Sequence, residues 1–104
     1  MPNLPLDLAI LQQARQRIAG AVLETPLWAN DPLSQELGAP IHIKLENLQR
    51  TGSFKLRGAS YKIDCLLRRV ETGQGVVTAS AGNHAQGVAR AAMVAGLPAT
   101  VVMP

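Results

Sequence analysis

The chain has 104 residues, 47% of them hydrophobic and 16% charged, with a formal net charge of +3. That is about one domain of globular sequence with room for a modest core. Its single cysteine, Cys65, excludes an intrachain disulfide and any cysteine-built zinc cluster, and its helical setting points to a packing role.

At the start, Met1-Pro2-Asn3-Leu4-Pro5 lacks the basic opening of a signal peptide, and the Leu8–Leu11 apolar run is short, so a cytoplasmic address is expected. Leu4, Leu8, Leu11, Ala14 or Arg15, Ile18 and Val22 recur every three or four residues. This spacing predicts an amphipathic helix over about Asp7–Gly20, with Asp7 as N-cap and Gly20 as its stop. Thr25-Pro26-Leu27-Trp28 reads as extended, its proline suiting a strand edge. Asp31-Pro32 is expected to open a short helix that Gly38 closes. Ile41-His42-Ile43-Lys44-Leu45-Glu46 alternates apolar and polar, the period of a half-buried strand, and leaves His42, Lys44 and Glu46 facing solvent.

From Ser53 or Phe54 onward, Leu56, Ala59, Ile63, Leu66, Leu67 and Val70 trace one helical face, ended by Thr72-Gly73-Gln74-Gly75. Val76–Ala79 favours a strand. Ala85, Val88, Ala89, Ala92 and Met93 mark a small-residue helix that ends at Gly96, and Thr100–Met103 is another β-favouring run. Strand, helix and strand in this order make a βαβ unit with parallel pairing, so the fold class is α/β. The longest apolar stretch, 91–103, is broken by Gly96-Leu97-Pro98 and falls short of the roughly 18 residues of a membrane span.

Two places stand out chemically. Lys55 and Arg57 sit in the first turn of a predicted helix, where the dipole disfavours cations and no compensation is visible in the sequence. Positive neighbours and burial both favour the free amine, a nucleophile able to condense with a carbonyl. The second place is Ser80-Ala81-Gly82-Asn83-His84, between the carboxyl end of a predicted parallel strand and the following helix, where unpaired backbone N–H groups meet an anion. Gly82 permits close backbone approach, Ser80 offers a hydroxyl, and Asn83 offers both a donor and an acceptor. The same loop is also an ordinary way to leave a strand and cap a helix. Phe54 is either packing at the helix start or a wall against a flat ring. His84 and His42 have no further histidine at ligand spacing, so no metal site is expected.

Six of the ten basic residues lie between Arg50 and Arg69 against one acid, Asp64. With three aromatics in the whole chain and no nucleic-acid motif, this cluster suits small anions or a solvated helix face, and no nucleic-acid partner is expected.

The stretches Glu46-Asn47-Leu48-Gln49-Arg50-Thr51-Gly52-Ser53-Phe54-Lys55-Leu56-Arg57-Gly58-Ala59 and Thr78-Ala79-Ser80-Ala81-Gly82-Asn83-His84-Ala85-Gln86-Gly87-Val88-Ala89, with the closing Val101-Val102-Met103-Pro104, resemble the serine/threonine dehydratase branch of the fold-type II, tryptophan-synthase-β-like PLP enzymes. Within that branch the similarity is to the biodegradative, single-domain threonine dehydratases. The resemblance implies pyridoxal 5'-phosphate as cofactor and Lys55 as its Schiff-base lysine and the base at the substrate's Cα. It also implies Phe54 as a ring contact, Asn83 as the amide that bonds the ring hydroxyl, and Ser80, Ala81, Gly82, Asn83 and His84 as the cradle for the substrate carboxylate. The implied reaction is loss of water from threonine or serine, giving a 2-oxo acid and ammonia.

The family's glycine-rich phosphate loop and its partner for the pyridine nitrogen would lie beyond Pro104. The resemblance therefore makes residues 1–50 the start of the larger domain, residues 51–104 the start of the smaller one, and the whole an incomplete βαβ portion of the fold, inactive alone. Two-stranded sheets with exposed faces predict a homo-oligomer or a complementing C-terminal portion as partner. A non-catalytic, self-associating remnant and a serine racemase-like enzyme are the alternatives; Gln86-Gly87 favours the dehydratase and racemase side over the cysteine-synthase side.

Overall fold

The computed structural model describes residues 6–69 and 74–104. In chain order it runs α1 (Leu8–Ile18), β1 (Leu27–Ala29), α2 (Asp31–Leu37), β2 (His42–Lys44), one 3-10 turn (Glu46–Leu48), α3 (Lys55–Leu67), β3 (Val76–Ala79), α4 (Asn83–Ala95) and β4 (Ala99–Val102). The expected succession of helices and strands is present. The places of Leu4 in the first helix, Val70 on the α3 stripe and Thr72-Gly73 at its end lie outside the described residues.

Helix α1 starts as expected, with the Asp7 carboxylate accepting from the Ile10 amide at 2.8 Å. It ends at Ile18 through a right-handed Ala19, so Gly20 is not its stop. The cap of α2 is Asn30 rather than Asp31. Asn30 is the extended residue, and its side chain accepts from the Leu33 amide at 2.9 Å, which places Asp31 and Pro32 in the first turn, where no intrahelical N–H partner is needed. Gly38 closes α2 in the left-handed region at φ 65°, as the sequence indicates.

Strands β1 and β2 pair antiparallel, Trp28 opposite Ile43, and every residue of the pair is exposed. The alternating stretch is shorter than expected because Glu46 turns into the 3-10 helix. Strands β3 and β4 pair parallel, from Val76 opposite Ala99 to Ala79 opposite Val102, with α4 as the crossover. This is the βαβ unit that the sequence pattern requires.

The core gathers Ile18, Val22, Leu56, Ala59, Ile63, Val88, Ala91 and Ala92. The α3 stripe is buried at Leu56, Ala59 and Ile63, while Leu67 is exposed. On α4 the buried face is Ala85, Gly87, Val88, Ala91 and Ala92, rotated from the expected one so that Ala89 and Met93 face outward. Small side chains decide that rotation, because the face with the least volume lets two backbones approach most closely. Only the C-terminal end of α1 joins the core; Leu8 and Leu11 are exposed. The Arg17 guanidinium stacks 4.9 Å from the Tyr61 ring centroid and pairs with Asp64, tying α1 to α3. Cys65 is partly buried beneath it, its sulfur 3.5 Å from Arg17 Nη2. Among the described residues, no helix is long and apolar enough to cross a membrane.

Candidate active site

Lys55 is the first residue of α3, and the chain reaches it through a turn built for the purpose. The Gly52 amide donates to the Gln49 carbonyl at 2.8 Å, Gly52 itself takes a left-handed φ of 74°, and the buried Ser53 hydroxyl accepts from the Lys55 amide at 3.4 Å. Leu56, fully buried, fixes the next position in the core. The Lys55 amine stands 5.5 Å from the Phe54 ring centroid, and among the described residues no carboxylate pairs with it. Phe54 is 62% exposed, so its aromatic face beside the amine is open to solvent in this chain.

Two expectations about this lysine are corrected. Its side chain is exposed in this chain, not buried. Nor is the neighbouring cation uncompensated. Arg57 donates to one carboxylate oxygen of Glu46 through Nε at 3.0 Å and Nη2 at 2.7 Å, and Nη2 also reaches the Leu23 carbonyl at 3.2 Å. Glu46 therefore does not face solvent: its side chain is 13% exposed, and the same oxygen accepts from the Thr25 hydroxyl at 2.6 Å. The Arg57 hydrogen bonds hold the Glu46 carboxyl down at about 2, against the opposing pull of burial, with Thr25 and Gln49 assisting. Lys44 keeps an exposed side chain but donates to the Thr25 carbonyl at 2.9 Å.

The second loop opens where β3 ends. Its Ser80 hydroxyl accepts from the amides of Gly82, at 3.2 Å, and Ala85, at 3.3 Å, so this side chain shapes the start of α4 and keeps its own hydrogen to donate. The Gln86 amide is the first to close onto the helix, at the Gly82 carbonyl. The Ala81, Asn83 and His84 amides have no partner among the described residues. No heavy atom lies within 4 Å of where a Gly82 Cβ would stand, so the face of this loop is open. Asn83 and His84 are both exposed. His84 lines a cleft of about 360 Å³ between α3, β3 and α4, together with Lys62, Thr78 and Val88.

Gly87 joins the two places, a role that the sequence reading passes over. A Cβ on Gly87 would lie 3.1 Å from the Lys55 carbonyl carbon and 3.2 Å from the Leu56 nitrogen. Helix α4 thus crosses the backbone of the lysine itself. Asn83, four residues earlier, lies one turn, about 6 Å, toward the loop on the same face of α4. The one available signal is a glycine inside a helical pattern, which costs about 1 kcal/mol against alanine and so implies a packing reason.

An aldehyde-bearing aromatic anion finds matching chemistry in this arrangement. Among the described residues, Lys55 offers an amine with no paired carboxylate beside the Phe54 ring, and the loop offers the Asn83 amide and three unpaired backbone N–H groups with open space beside Gly82.

Residues 18–104 match the family of pyridoxal-phosphate dependent enzymes, and the chain belongs to it. Over 99 residues it is 50% identical to an L-threonine ammonia-lyase of Thermotoga maritima, covering 95% of this chain and 24% of that protein. Among solved structures, a threonine deaminase from T.th. superposes with a TM-score of 0.75 at 46% identity, covering 94% of this chain and 30% of that one. Maize serine racemase superposes with a TM-score of 0.79 at 40% identity, covering 94% and 30%. The chain thus spans about a quarter to a third of the length of these relatives. The family's cofactor is pyridoxal phosphate, and the residues described above fit it.

Proposed function

We propose that this chain supplies the lysine and the carboxylate-binding loop of a PLP-dependent ammonia-lyase that converts L-threonine, or L-serine, to a 2-oxo acid and ammonia. The observation that supports this reading is the crossing of α4 over the Lys55 backbone at Gly87, one helical turn from the Asn83 loop. The 50% identity to an L-threonine ammonia-lyase supports the choice of reaction.

In this reading Lys55 Nζ would hold the cofactor's aldehyde and serve as the base at the substrate's Cα. Phe54 would offer its face to the cofactor ring, and the Asn83 amide a hydrogen-bond partner for the ring hydroxyl. Ser80, through the hydrogen left on its hydroxyl, and the backbone amides of Ala81, Asn83 and His84 hold the substrate carboxylate, with Gly82 keeping that face clear. The bound cofactor supplies an electron sink for the bond-breaking at Cα. Activity belongs to the whole protein, of which residues 1–50 begin the larger domain and residues 51–104 the smaller. The exposed apolar side chains of Leu27, Trp28, Val77, Met93 and Val102 are then covered by the rest of that protein or by a second copy.

A serine racemase-like activity is the second reading, favoured by the superposition on the maize enzyme. Both readings share Lys55. The chain treated with pyridoxal phosphate, reduced with borohydride and mapped by mass spectrometry should carry its adduct on Lys55 in preference to Lys44 and Lys62. Adducts spread evenly over the three lysines would refute both readings. In the complete protein, formation of 2-oxobutanoate from threonine against inversion of serine separates the two, and Lys55→Ala should abolish either.

A further inference from the structure

One largely buried polar cluster is left unused by that reading. It consists of Glu46, Arg57, Thr25 and Gln49, joined to one another and to the Leu23 backbone. Thr25 and Gln49 are 6% and 5% exposed. Gln49 clamps the backbone of Leu23 from both sides, Nε2 donating to its carbonyl at 2.9 Å and Oε1 accepting from its amide at 2.8 Å. Nε2 also lies 3.4 Å from the second Glu46 oxygen. The segment 23–25, the 3-10 turn and the first turn of α3 therefore meet at one carboxylate.

Helix α3 needs such a tie. Its N-cap, Phe54, is right-handed and makes no side-chain capping bond, and its first turn contains no acid. Successive residues of a helix point 100° apart. Leu56 is fixed on one side by the core, and Arg57 is fixed on the next by Glu46 and the Leu23 carbonyl. With two successive side chains anchored in different directions, the rotation of the helix about its axis is set. The direction in which Lys55 leaves it, 100° before Leu56, is then set as well. A partly buried ion pair is a weak source of stability compared with apolar packing, but a misrotated helix would separate its two charges from one another.

We propose that Glu46 and Arg57 are positioning residues for Lys55: their ion pair, keyed by Thr25 and Gln49, fixes the rotation of α3 and so the direction in which the lysine side chain leaves it. The proposal rests on Lys55 being the cofactor lysine, and its test separates the two ideas.

The full chain is treated with pyridoxal phosphate and borohydride, and the initial labelling rates of Lys44, Lys55 and Lys62 are compared by mass spectrometry, with far-UV circular dichroism and a thermal midpoint recorded in parallel. In Glu46→Leu/Arg57→Met, which leaves no buried charge unpaired, the Lys55 preference should fall about tenfold with helix content unchanged, since small misplacements of a reacting group cost this much or more. Glu46→Asp keeps the charge but shortens its reach, and it should lower the preference about threefold. This second variant decides the matter if the first does not fold. A merely structural role would move the thermal midpoint and leave the ratio of labelling rates unchanged. A wild-type preference for Lys55 that stays undiminished in Glu46→Asp or in the folded double variant overturns the positioning role alone. Absence of that preference in the wild-type chain overturns the Lys55 reading, and the positioning role with it.

Discussion

Substituting Gly87 by alanine tests the crossing on which the site depends. In a helix interior, Gly→Ala gains about 1 kcal/mol of intrinsic propensity. At Gly87 the new methyl would sit 3.1 Å from the Lys55 carbonyl carbon and 3.2 Å from both the Leu56 nitrogen and the Lys55 oxygen. Carbon atoms in comfortable contact stand about 3.5–4.0 Å apart, so α4 must retreat by several tenths of an ångström. Backbone atoms cannot rotate away as a side-chain tip can. Overpacking of this kind costs about 1–3 kcal/mol, which outweighs the propensity gain and leaves a net loss of about 1 kcal/mol. Gly58, inside α3, is the internal control, since no heavy atom lies within 4 Å of its would-be Cβ. Gly58→Ala should stabilise by about 1 kcal/mol, so the two variants should differ by about 2 kcal/mol despite identical chemistry. Thermal unfolding followed by far-UV circular dichroism should show midpoints displaced in opposite directions, each by about 4–8 °C. A Gly87→Ala midpoint that rises with that of Gly58→Ala would refute the close crossing of α4 over the Lys55 backbone.

The remaining predictions concern the two loops. The Glu46 carboxyl is held at about 2 in the folded chain against an ordinary value of 4.5, so its pairing contributes fully above about pH 4.5 and is lost as the pH falls toward 2. That difference corresponds to about 3 kcal/mol, and the stability gap between the chain and Glu46→Gln in urea should narrow steadily from pH 5 to pH 2. A gap equal at pH 7 and pH 2.5 would exclude the pair as its source. The Asp64 carboxyl, lowered by its hydrogen bond from Arg68 and then by Arg17, weakens the wild-type chain in the same acid range and cancels in the comparison. Ser80→Ala removes the acceptor for the Gly82 and Ala85 amides and should cost about 1 kcal/mol, as the loss of a helix cap does. Hydrogen exchange at Ala85 should quicken about fivefold on that account, and an unchanged rate would mean that the hydroxyl does not hold the loop.

The sequence exposes the elements whose signals are local. The Asp7 cap, the Gly38 and Gly96 stops and the βαβ order all follow from residue type and spacing, and all are present. The misreadings have one cause in common, which is that the deciding partner is distant in sequence or in space. Glu46 sits at a polar position of an alternating run, and alternation assigns it to solvent. Its actual neighbours are Arg57, eleven residues on, and Thr25, twenty-one residues back. Hydrophobicity draws the α4 stripe through Ala89 and Met93 because it ranks them above glycine, whereas the contact selects the smallest side chain. Lys55 shows the opposite case. Its oddness at a helix start is visible from charge placement alone, but its exposure depends on what packs over it, which no local pattern records.

The pairing of Arg57 changes what is unusual about Lys55. Along the helix, two cations crowd one dipole end, and charge placement singles out neither. In three dimensions Glu46 neutralises Arg57, so the misfit is concentrated on a single amine. Helix α4 likewise starts without an acid in its first turn. The N-terminal turn of α3 is in contact with the second turn of α4 at Gly87, which brings the starts of the two helices close together, and the Glu46 carboxylate is paired with Arg57. Unpaired backbone amides at helix ends of this kind favour an anion over a few ångströms.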